Sequence, residues 1–138
     1  MYKKYWKKNV EPLLLENGYT RISSIAFRKV LTTGVEIIID IQKYKGKNFI
    51  TVNITLNNNH GQGEEGMISA LIDYRLGDFL SSRQYDIWWS VKKADIDESF
   101  LQIKNIMMKV LLPELKKLED EEFAKKFIRN IELSYELG

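Results

Sequence analysis

Residues 35–56 read VEIIIDIQKYKGKNFITVNITL, and their alternation decides the fold. Val35, Ile37, Ile39 and Ile41 fall on one side of an extended chain, with Glu36, Asp40 and Gln42 on the other. Tyr44 to Asn48, carrying Gly46, has the composition of a tight turn. Beyond it the alternation resumes: Ile50, Val52, Ile54 and Leu56 are expected to be buried, and Thr51, Asn53 and Thr55 exposed. Two such runs joined by a short turn predict an antiparallel pair with one dry face.

Outward from this pair the same logic continues. On the N-terminal side the period of two begins at Thr20, and Ile25, Phe27 and Leu31 share one side of a further strand. Thr32-Thr33-Gly34 then supplies the turn into Val35. Before that, residues 2–17 predict an amphipathic helix, with Tyr2, Trp6, Val10, Leu13 and Leu14 at three- and four-residue spacing. Pro12 cannot donate to the carbonyl of Lys8, so the helix should kink there or start afresh after Asn9. Asn17-Gly18 is a helix stop.

On the C-terminal side, Asn57 to Gly66 predicts a polar loop. Residues 67–76 alternate as a strand through Ile68, Ala70, Ile72, Tyr74 and Leu76, although Ile68, Leu71, Ile72 and Leu76 would also stripe a helix. A strand is preferred, because the run is short and ends at the Arg75-Leu76-Gly77-Asp78 turn. Tyr85 to Val91 predicts a fifth strand with Tyr85, Ile87, Trp89 and Val91 on one face, so Trp89 should be core and Trp88 partly exposed. The rest reads as helix. Asp95 and Glu98 make a capping pair, and Ile96, Phe100, Ile103, Met107, Val110 and Leu111 form the buried stripe. Pro113 breaks or bends it, and Leu115 and Leu118 continue the apolar contacts. Asp120 could cap a last helix facing inward through Phe123, Phe127, Ile131 and Tyr135. The expected architecture is α+β: an antiparallel meander of about five strands, with N-terminal and C-terminal helices packed on one face.

The chain of 138 residues suits a single α+β domain over 1–138, and two prolines and eight glycines leave no room for a low-complexity linker. With 44% apolar and 29% charged residues it can bury a core, which excludes a largely disordered chain. Lacking cysteine, it can form no disulfide, thiolate metal site or cysteine nucleophile. The four lysines of MYKKYWKKNV precede no apolar run long enough for a signal peptide or a membrane span. A soluble, cytoplasmic protein is expected, without membrane attachment. The net charge of +2 is too small to imply a nucleic-acid partner.

Several short motifs occur in order along nearly the whole chain. They are Gly18-Tyr19, Phe27-Arg28, Gln42-Lys43 and Phe49-Ile50-Thr51-Val52-Asn53, followed by Arg75-Leu76-Gly77-Asp78-Phe79-Leu80, Trp88-Trp89 and Leu112-Pro113-Glu114-Leu115. In this the chain resembles a bacterial domain-of-unknown-function family, number four-three-zero-four. The resemblance implies an α+β fold and lends no activity. Members of that family look like candidates for bacterial immunity proteins, which neutralise secreted toxins.

Four constellations could carry chemistry. Gly61-Gln62-Gly63-Glu64-Glu65-Gly66 spells a dinucleotide-binding pattern, but two glutamates would repel a pyrophosphate, and a meander strand rather than a parallel β-α-β unit precedes it. No cofactor is expected. His60 with Glu64 and Glu65 could make part of a metal site, yet a single histidine in a glycine loop is more often a solvated side chain, and no metal is expected. Lysines 3, 4, 7 and 8, interleaved with Tyr2, Tyr5 and Trp6 and extended by Lys43, Lys45 and Lys47, superficially suit nucleic acid, but any surface helix keeps such a solvated face. Finally, Arg75, Asp78 and Asp86 lie around the RLG turn beside Trp88. They could bind a small polar ligand or perform acid–base work; the plainer reading is an arginine ion-paired to hold the turn and cover Trp88.

With no nucleophile pattern and no catalytic set, the sequence favours a non-enzymatic module that binds a protein partner, such as an immunity protein binding a toxin. Trp88, Arg75, Asp78 and Asp86 would belong to its binding surface. The alternatives are a small-ligand binder or enzyme around Arg75, Asp78 and Asp86, or a weak nucleic-acid binder through the basic first helix.

Overall fold

The structure, a computed structural model, describes residues 1–58, 71–80 and 87–126. Helix α1 spans Tyr2–Asn9 and α2 spans Glu11–Glu16, with the break at Val10. Pro12 lies in the first turn of α2, where its missing N–H costs nothing. Val10 still donates to Trp6 (2.9 Å) and accepts from Leu14 (3.1 Å), so Trp6, Val10 and Leu14 stay on one buried face despite the break. At the end of α2, Tyr19 N–H reaches back to the Leu14 carbonyl and Gly18 N–H to that of Leu15. This six-to-one and five-to-two pattern needs a left-handed residue, and Gly18 supplies it at φ +86°.

The sheet follows: β1 (Thr20–Arg21), β2 (Ala26–Val30), β3 (Val35–Lys43), β4 (Phe49–Asn58), β5 (Leu71–Arg75) and β6 (Trp89–Ser90). The first five lie side by side in chain order and are antiparallel throughout. The α+β class and the meander therefore hold. The stretch from Thr20 is two strands rather than one, since the chain turns between Arg21 and Ala26 and pairs Thr20 with Arg28. The expected turns at Gly34 and Gly46 are present, both at positive φ.

Register makes the core. Ile37 faces Leu56, Ile39 faces Ile54 and Ile41 faces Val52, all buried, as are Val35 and Ile50. Burying side chains of this kind contributes roughly 1.5–3 kcal/mol each. Asn57 and Asn58, expected in a polar loop, instead extend β4 and pair with Glu36 and Val35, and the rest of that predicted loop lies outside the described residues. Of the strand expected over 67–76, residues 67–70 lie outside the described residues, Leu71–Arg75 form β5, and Leu76 opens a 3-10 turn over Leu76–Phe79. Of the fifth predicted strand, Tyr85 and Asp86 lie outside the described residues, Ile87, Trp88 and Val91 are not strand, and Trp89–Ser90 form β6, which pairs not with β5 but with the other half of the same β4 edge, at Ile50 and Phe49. Trp89 is buried and Trp88 partly exposed, as alternation predicts.

Helix α3 (Ile96–Ile106) runs into a π-helical turn (Met107–Leu111) and then α4 (Leu112–Lys116). The wider turn precedes Pro113, which has no N–H for the Lys109 carbonyl and whose ring would crowd that carbonyl in a regular helix. Ile96, Phe100, Ile103, Met107, Leu111, Leu115 and Leu118 are buried, and Val110 is half-buried. Asp95 sits at the start of α3 but its carboxylate does not cap the helix; it accepts from Ser90 Oγ at 2.7 Å. Asp120 does cap the helix that begins at residues 121–126, accepting from Phe123 N–H at 3.1 Å. In that helix Ala124, not Phe123, is the buried residue. Phe127, Ile131 and Tyr135 lie outside the described residues.

These helices join the strands' apolar face in one cluster. Tyr5 stacks on Phe100 with ring centres 5.7 Å apart, Trp89 Nε1 donates to Gln102, and Ser99 Oγ donates to the Ser90 carbonyl. A buried hydrogen bond from Thr33 Oγ1 to the Leu118 carbonyl ties the β2–β3 turn to the C-terminal helices. No helix among the described residues is long and apolar enough to cross a membrane.

Candidate functional site

Each strand that lines the core presents its alternate residues on the opposite face of the sheet, and the 3-10 turn Leu76–Phe79 adds Asp78 to that side. There the ladder places Asp40, Asn53 and Arg75 in one row and Thr55 and Asp73 in the next. Asn53 Nδ2 donates both to Asp40 Oδ1 (3.0 Å) and to Gln42 Oε1 (2.9 Å), and Thr55 Oγ1 donates to Asp73 Oδ1 (3.0 Å). Further along the face Arg28 pairs with Glu36, whose other oxygen accepts from Asn57. A hollow of about 570 Å³ is lined by Asp40, Gln42, Asn53, Thr55, Asp73, Arg75 and Asp78.

Through Arg75 the hollow adjoins an aromatic pair. The Arg75 guanidinium carbon lies 5.1 Å from the centre of the Trp88 ring, and Tyr44 meets the same ring edge-on at 5.1 Å. Phe49 and Tyr44 are exposed nearby. Thr51, expected on the surface, is fully buried. The segment ahead of β6 crosses over it, and Thr51 Oγ1 donates to the Ile87 carbonyl at 2.9 Å. That bond anchors the backbone next to Trp88 over the polar face, while Trp89 enters the core.

The structure therefore gathers Arg75, Asp78 and Trp88 around one surface. Asp78 accepts the backbone N–H of Arg75 at 2.7 Å, which holds the turn, and Arg75 covers Trp88. Asp86 lies outside the described residues, as do His60, Glu64, Glu65 and the 61–66 glycine pattern. In the first helix Tyr5 and Trp6 serve the core, leaving lysines 3, 4, 7 and 8 exposed.

Sequence reasoning missed Asp40, Asn53 and Asp73 as site residues. Alternation had already put Asp40 and Asn53 on polar faces; what it lacked was the register that lines them up with β5. Asp40 stands out electrostatically. Burial pushes its carboxyl above the ordinary range and the charge of Asp73 adds to this, against the lowering effect of the Asn53 hydrogen bond. Among the described residues no group of three histidine, cysteine or acidic side chains could hold a metal ion. The face offers carboxylate and amide oxygens beside an aromatic cluster.

Against family models, curated proteins and solved structures, the chain finds no match.

Proposed function

We propose that this protein is a non-catalytic module that binds a protein partner on the polar face of its sheet, opposite the core, with Trp88 as the anchor. The observation that carries the reading is Trp88 itself. Its ring is held between Arg75 and Tyr44, partly exposed, beside a polar hollow and away from the core. A rigid aromatic with fixed neighbours loses little entropy on docking, and tryptophan and arginine are the residues most enriched where interface energy concentrates. The resemblance of the ordered motifs to family four-three-zero-four extends the proposal to a bacterial immunity protein that works in the cytoplasm by occupying a toxin.

Affinity capture from the native host, with parent and Trp88→Ala baits side by side, tests the proposal. A stoichiometric protein held by the parent and lost by the variant is the expected result. Turnover of a small substrate that vanishes when Arg75 or Asp78 is neutralised would replace it with the second reading. In that reading the 570 Å³ hollow, which is within the size range of small-ligand sites, serves as a ligand or catalytic pocket.

A further inference from the structure

We infer that the partner is basic at its point of contact, and that it seats an arginine or lysine side chain in the hollow against Asp40 and Asp73. This deepens the docking role proposed above and rests on it.

The argument begins with charge. The chain as a whole is +2, yet the described part of this face carries Glu36, Asp40, Asp73 and Asp78 against Arg28 and Arg75 only. Those two cations are already engaged, Arg28 with Glu36 and Arg75 against Trp88. Among the described residues neither Asp40 nor Asp73 forms an ion pair. Their hydrogen bonds come from neutral donors, Asn53 and Thr55. Asn53 divides its amide between Asp40 and Gln42, so acceptors outnumber donors in the hollow.

Half-burial makes this imbalance significant. A carboxylate turned into solvent is screened at little cost, whereas Asp40 is desolvated and also feels Asp73. A guanidinium or ammonium arriving there relieves both effects together, and it does so in a partly desolvated hollow where a charge-assisted hydrogen bond is stronger than in water. Trp88, which contacts Arg75 of the hollow and the exposed Tyr44, offers apolar surface for the methylene stem of the same side chain. An acidic group that the fold holds at some expense to itself, with a second carboxylate beside it and an exposed aromatic near, complements a basic protein surface.

A capped Gly-Arg-Gly-Arg-Gly peptide, titrated into the ¹⁵N-labelled full chain and followed by NMR, tests this against the same peptide with glutamate for arginine. The arginine peptide should shift the amides of Asp40, Asn53, Thr55 and Asp73, and the glutamate peptide should not. Asp40→Asn and Asp73→Asn keep the shape and one acceptor oxygen; each should weaken the arginine peptide about fivefold without lowering the melting temperature. Shifts confined to another surface, an equal response to the glutamate peptide, or unchanged affinity in both variants would each overturn the inference. The two layers fail separately. If Trp88→Ala releases the captured partner while the arginine peptide leaves this face unshifted, the docking face stands and its basic occupant does not. If the peptide binds as expected but Trp88→Ala still captures the partner fully, the docking proposal falls.

Discussion

The two faces of the β3–β4 pair are made from alternate residues of the same strands, and they differ in kind. One carries Val35, Ile37, Ile39 and Ile41 against Ile50, Val52, Ile54 and Leu56, uniformly aliphatic and buried under the helices. The other carries Glu36, Ile38, Asp40 and Gln42 against Thr51, Asn53, Thr55 and Asn57, mostly polar and cross-linked by side-chain hydrogen bonds, and covered at Thr51 by the segment ahead of β6. Aliphatic side chains on the first face need only fill volume, so many combinations would serve. Polar groups on the second must satisfy one another pairwise, and that leaves specific acceptors such as those of Asp40 and Asp73 for something else. One face determines the fold, and the other is where a function can be placed at small cost to stability.

The adjacent tryptophans test this division most strongly. Trp89→Ala should cost about 3–5 kcal/mol in urea unfolding, because it removes a buried ring from the core. Trp88→Ala should cost only about 1–2 kcal/mol, the worth of its contacts with Arg75 and Tyr44. Equal losses would mean that the polar side is as much a core as the apolar one.

Thr51 sharpens the comparison, since it is the buried exception on the polar face. Thr51→Val keeps the volume but leaves the Ile87 carbonyl without its donor, and should cost about 1–3 kcal/mol. The Trp88 indole fluorescence should change along with stability, because the same bond fixes the adjacent backbone. A neutral effect on both would show that the crossing segment is held by other contacts.

Asp40 should give the smallest effect, and its sign is the informative part. Its folded-state carboxyl lies above the ordinary value, so the folded chain holds this proton more tightly than the unfolded chain does. The stability it contributes is full below the ordinary carboxylate value of 3.8 and declines as pH rises through the folded value. Asp40→Asn should therefore be at least as stable as the parent near neutral pH, with the advantage shrinking in acid. Urea midpoints at about pH 4 and about pH 7 measure it. Destabilisation near neutral pH would mean that the Asp40 charge supports the fold.

Much of the dry face was legible in the sequence. The alternation in residues 35–56 gave strands, turn and burial together, and Pro12 and Gly18 marked the helix break and stop through the donor one lacks and the backbone angle the other allows. The open face was legible only in part. Nothing local to Trp89 and Ser90 says that they pair with β4 rather than β5, because a two-residue ladder is set by where the preceding segment crosses. Thr51 looked exposed for the same reason: alternation assigns a face, but not what lies over it. Asp40, Asn53 and Asp73 come from three strands, so their proximity depends on register, which no single strand encodes. The hairpin at Thr20–Arg28 escaped because two residues are too few to show a period.

The most direct test of the account is the dissociation constant of the captured partner for Trp88→Ala, measured beside the melting temperature of the free variant. A loss of about 2 kcal/mol in binding, roughly thirtyfold, with the chain still folded and cooperative, is the predicted result. An unchanged dissociation constant would contradict it, because the partner would then be held by a surface other than the open face of the sheet.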